Sequence, residues 1–83
     1  MRHAQDGALD QLEELLADLR TMPGLTEKKR GIFYRGSQAF LHFHDDPTGL
    51  YADVRLDVDF ERVRVSSASE RKALLTRVRR ALG

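Results

Sequence analysis

The stretch Leu50-Tyr51-Ala52-Asp53-Val54-Arg55-Leu56-Asp57 alternates apolar and polar side chains without interruption. Successive side chains of a β-strand point to opposite faces, so a period of two marks a strand with one buried and one open face. Just before it, Asp45-Asp46-Pro47-Thr48-Gly49 supplies a turn in which Asp caps, Pro fixes φ and Gly closes. Ala39 to His44 reads as a second strand. Gly36-Ser37 reads as a two-residue hairpin loop of type II′, with Gly36 at positive φ. Ile32-Phe33-Tyr34 has the β-branched and aromatic character of a first strand. From about Thr26 to Leu56 the chain thus reads as a three-stranded antiparallel meander.

Beyond Asp57 the phase breaks. Val58 and Phe60 keep the earlier parity and Val63 and Val65 take the opposite one. A bend or short helical turn is expected near Asp59–Arg62, followed by a short fourth strand over residues 62–65. The two ends read as helices. Ala8, Leu9, Leu12, Leu15, Leu16 and Leu19 form a stripe at helical spacing over about Asp6–Arg20, which Pro23-Gly24 brings to a stop. Leu74, Leu75, Val78, Ala81 and Leu82 form another over about Ala68–Leu82. There Ser67 and Glu70 fit a capping box, each satisfying a backbone N–H that the first helical turn leaves without a partner. The 83 residues suffice for one hydrophobic core. The expected fold is a two-layer α+β domain over residues 1–83, an antiparallel three- to four-stranded meander with the N- and C-terminal helices on one face.

Register assigns residues to faces, because a slip of one residue turns a strand over. A tight Gly36-Ser37 loop sets Arg35 opposite Gln38, Tyr34 opposite Ala39, Phe33 opposite Phe40 and Ile32 opposite Leu41. In the next hairpin, His44 falls opposite Tyr51 and His42 opposite Asp53. The core face then carries Ile32, Tyr34, Leu41, Phe43, Ala52 and Val54. The open face carries Phe33, Phe40, His42, His44 and Tyr51, with Asp53 and Arg55. So much aromatic area left in water predicts an interaction surface, most simply one that pairs two copies of the chain as a homodimer.

Composition removes several function classes. The absence of cysteine excludes a disulfide scaffold, a thiol nucleophile, a cysteine-ligated zinc and an iron–sulfur cluster. No apolar run approaches the roughly 20 residues that span a bilayer, and no signal-like stretch follows Met1. A soluble cytoplasmic protein is therefore expected. The net charge of +1 is the remainder of alternating blocks. The first helix is acidic, residues 27–35 are basic, residues 45–61 are acidic, and residues 62–83 carry seven basic residues against Glu70. The basic last helix is expected to offset both the acidic first helix and the acidic 45–61 block.

Two constellations carry chemistry. His42 and His44 lie two residues apart on one strand face, a spacing at which two neutral imidazoles can converge on a divalent metal, with Asp53 across the strand pair, or Asp45 and Asp46 in the turn, as oxygen ligands. The plain structural reading has both histidines in cross-strand contact with Asp53 and Tyr51. His3, the remaining histidine, is far away in sequence. General acid–base work by His42 and Asp53 lacks a nucleophile, since Ser37 lies at a turn and the other serines belong to the helix cap. Arg71, Lys72, Arg77, Arg79 and Arg80 make the last helix a nucleic-acid candidate, although helix-turn-helix and phosphate-loop patterns are missing. No organic cofactor is expected.

At Pro23-Gly24, the Phe33–Phe40 hairpin and the Phe40-Leu41-His42-Phe43-His44 strand, the chain resembles small uncharacterised bacterial α+β proteins of the so-called luciferase-domain family. The resemblance implies a helix, a Pro-Gly exit, a sheet with an aromatic–His strand and a closing helix. It implies no light-emitting chemistry and assigns no catalytic residue. A looser likeness of layout links the chain to YjbR-like proteins, some of them associated with DNA binding. Together these readings predict a small non-enzymatic binding module.

Overall fold

The alternation that begins at Leu50 is realised in a computed structural model, which describes residues 2–83. Strand β5 (Gly49–Val54) buries Leu50, Ala52 and Val54 and leaves Tyr51 and Asp53 half-buried on its other face. It pairs antiparallel with the nine-residue β4 (Gln38–Asp46), setting Leu41 opposite Val54, His42 opposite Asp53 and His44 opposite Tyr51. Both expected pairings of this hairpin hold.

Strand β4 is the centre of the sheet. On one side lie β5 and β6 (Glu61–Arg64), and on the other β3 (Ile32–Arg35) and β2 (Leu25–Lys29), in the order β2-β3-β4-β5-β6. A two-residue strand, β1 (Arg2–His3), also pairs with β4, with Arg2 opposite Asp45 and His3 opposite His44. Because β5 occupies one edge of β4, β1 must take the other, continuing where β3 stops at Leu41. A bond from the Ala4 N–H to the Phe43 carbonyl (3.0 Å) fastens it there.

The first hairpin departs from its expected ladder. Gly36 does adopt positive φ (62°) in the loop, and Arg35 and Tyr34 do face Gln38 and Ala39. The next pair, however, is Phe33 with Leu41, so Phe40 is an extra residue on β4. Such a bulge resets the phase of everything beyond it. Phe33 and Phe40, expected on the open face, are instead 1% and 3% exposed in the core, while Ile32 and Tyr34 move to the outer side. Tyr34 there receives the ammonium of Lys28 over its ring at 4.3 Å. Strand β2 was not expected because Leu25-Thr26-Glu27-Lys28-Lys29 has little apolar content, as suits an edge strand that must resist pairing with other chains.

The N-terminal helix is interrupted. It comprises α1 (Asp6–Gln11) and α2 (Glu13–Arg20), joined at Leu12, whose N–H reaches back three residues to Leu9 rather than four. The apolar stripe survives the break, with Ala8, Leu9, Leu12, Leu15, Leu16 and Leu19 all buried. Helix α3 (Ala68–Leu82) has the expected capping box: Ser67 Oγ accepts from the Glu70 N–H and Glu70 accepts from the Ser67 N–H. Leu74, Leu75 and Val78 join the same core, so both helical segments cover one face of the sheet. Val63 and Val65 turn toward that core, whereas Val58 and Phe60, expected to keep the inward phase, are exposed in the 55–60 loop.

The charge blocks find partners, of which the pairing of the last helix with the 45–61 block is the expected one. Arg30, in the turn between β2 and β3, bonds Asp6, Asp10 and Glu13 at 3.1, 2.8 and 2.9 Å. Arg20 bonds Glu13 and Glu27. The acidic helix is thus matched by Arg30 and its own Arg20, not by α3. In turn α3 meets the acidic 45–61 block through Arg77 and Glu61.

Candidate metal centre

Burial of Leu41 and Phe43 in the core forces His42 and His44 to the opposite face of β4. Strand β1 brings a third imidazole beside them. Ring centroids lie 4.9 Å apart for His3–His44, 5.6 Å for His3–His42 and 5.0 Å for His42–His44. One nitrogen from each ring lies within 4.8 Å of the corresponding atom of the other two. His3, distant in sequence, is therefore part of the cluster. Sequence reasoning missed it because two residues are too few to show a strand period.

Asp53 serves this group from β5. Its Oδ2 lies 2.9 Å from His44 Nε2 and 3.5 Å from His42 Nε2. Arg62, directly opposite on β6, grips the same carboxylate with two bonds, Nε to Oδ1 at 2.8 Å and Nη2 to Oδ2 at 2.9 Å. Phe60 closes one side, its ring edge-on to His42 at 5.3 Å and stacked under the Arg55 guanidinium at 4.6 Å.

These contacts set the charge state. Hydrogen bonding from Arg62 holds the Asp53 carboxyl below its ordinary range, so it stays anionic. Burial, helped by the charges of His44, His3 and Arg62 and opposed by Asp53, pushes His42 down toward its neutral form. Neutral imidazole is the form that binds a metal. The hollow beside the cluster is about 30 Å³, lined in part by His3, Ile32 and His42. It takes an object the size of one water and offers no room for an organic substrate.

The other singled-out residues are dispersed. Tyr51 sits opposite His44 but turns its hydroxyl to Thr48 at 2.7 Å. In the basic helix, Arg71 donates to the carbonyls of Val65 and Ser66 and Arg77 is held by Glu61. Lys72, Arg79 and Arg80 are exposed. Ser66, a remaining hydroxyl near the sheet, is engaged with the backbone of Leu50 at 2.7 Å.

Comparison of the chain with protein-family models, with curated proteins and with solved structures finds no match. Its functional reading consequently rests on the geometry of this face.

Proposed function

We propose that the chain is a small divalent-metal-binding protein whose ion is held on the outer sheet face by His3, His42 and His44. The observation that carries this reading is the convergence of three imidazoles from two strands, their nitrogens within 4.8 Å of one another. Ligand atoms about 2.0–2.1 Å from a tetrahedral zinc stand roughly 3.4 Å apart, so side-chain rotations of about 1 Å close the remaining gap. Imidazole-rich sites of this kind suit zinc, copper and nickel. A neutral His42 and an anionic Asp53 beside the rings both favour a cation.

Self-association through the same face drew its force from Phe33 and Phe40. With both in the core, the face keeps His42, His44 and Tyr51 of its named residues, and the ion reading stands ahead of the dimer.

Calorimetric titration with zinc tests the reading. One zinc per chain is expected, with binding abolished in a His42→Ala, His44→Ala double variant and weakened in His3→Ala. Equal zinc affinity in the wild type and the double variant would sink it.

A further inference from the structure

We infer that Asp53 is the fourth ligand of this centre, and that Arg62 is the internal competitor an ion must displace to recruit it. This rests on the metal reading above and specifies the kind of site it is. Oδ2 of Asp53 lies 2.9 and 3.5 Å from the Nε2 atoms of His44 and His42. Two ligand atoms on a tetrahedral zinc are separated by roughly 3.4 Å. The carboxylate oxygen therefore already stands at ligand–ligand distance from two of the three rings. An ion seated between those rings falls within reach of Oδ2 without movement of β5.

What opposes recruitment is the guanidinium fork. Arg62 occupies both carboxylate oxygens at 2.8 and 2.9 Å, and a bidentate arginine–carboxylate pair is among the stronger protein hydrogen-bonded pairs. Its release is nonetheless feasible, because the Arg62 side chain is 49% exposed and can pass into water while Asp53, at 14%, stays in place. The ion replaces one cation with another on the same carboxylate.

Three imidazoles and a carboxylate complete a tetrahedral shell. Sites with a closed shell hold an ion for structure or storage, whereas hydrolytic zinc sites keep a position open for water. The inferred centre is of the closed type.

The experiment combines zinc titration with cobalt spectroscopy on the full chain. Asp53→Asn is expected to weaken zinc roughly tenfold or more. Arg62→Gln is expected to tighten zinc severalfold in the wild-type background and to have no effect in Asp53→Asn, since the competition then has no object. The cobalt-loaded protein should show four-coordinate absorption that added thiocyanate leaves unchanged. Unchanged or weakened zinc binding in Arg62→Gln, or a thiocyanate-dependent spectrum, overturns the inference while leaving the three-histidine site standing. Failure of the wild type to bind zinc overturns both.

Discussion

The two hairpins that share β4 differ by a single residue. Between β4 and β5 the ladder runs unbroken from Leu41–Val54 to Asp46–Gly49, and every side chain lies where alternation puts it. Between β3 and β4 the extra Phe40 shifts the register, and the aromatic set changes face. The same loop rules and the same residue preferences governed both. A period of two carries information only as far as the next bulge, and a bulge whose extra residue is itself hydrophobic leaves no mark in the apolar pattern. Its effect is large: it moves Phe33 and Phe40 from an apparent sticky surface into the core and turns Ile32 and Tyr34 outward.

The sharpest test of this contrast is truncation on each side of β4. Phe33→Ala is expected to lose about 3–5 kcal/mol in urea unfolding, as for other buried phenylalanines, whereas Tyr51→Ala on the unbroken hairpin should cost about 1 kcal/mol or less. Comparable losses would mean that Phe33 is not a core residue. A smaller difference separates the two turns of the β2–β3–β4 meander. A Cβ at Gly31 (φ 79°) would meet Leu9 Cδ2 at 2.7 Å, while one at Gly36 (φ 62°) meets nothing within 4 Å. Gly36→Ala should therefore cost about 1 kcal/mol, the left-handed backbone term alone, and Gly31→Ala measurably more by thermal denaturation.

The smallest expected effect is one of pH. Arg20 holds Glu27 below its ordinary value of 4.5, on the β2 side of the sheet, as Arg62 does for Asp53 on the β5 side. A depressed carboxyl contributes stability that is complete above its unfolded value and is lost as pH falls through the folded one. Unfolding free energy should thus begin to drop below about pH 4.5, with Glu27→Gln flattening that drop by about 1 kcal/mol or less. A variant with the same acid profile as the wild type would remove Glu27 from the account.

Much of the fold was legible because its signals are redundant. Alternation over Leu50–Leu56, the Gly36-Ser37 loop and the Ser67–Glu70 box each rest on several residues that agree. The β4–β5 register followed from them, and it alone put His42, His44 and Asp53 together. What escaped reading lacks local redundancy. Strand β2 is written in charges because it is an edge, and β1 is two residues long, so its existence depends on an unoccupied length of β4 rather than on its own composition. His3 and Arg62 entered the site only through such long-range pairing.

Strand β1 has one more consequence. With an ion bound, His3 and His42 become the two ends of a cross-link that encloses both N-terminal helical segments and the first hairpin. A permanent bond closing a loop of about 40 residues restricts the unfolded chain by about 4 kcal/mol in the chain-entropy view. In a protein without cysteine, the cluster would serve as a reversible staple. Its strength would follow the local metal supply rather than the redox state of the surroundings.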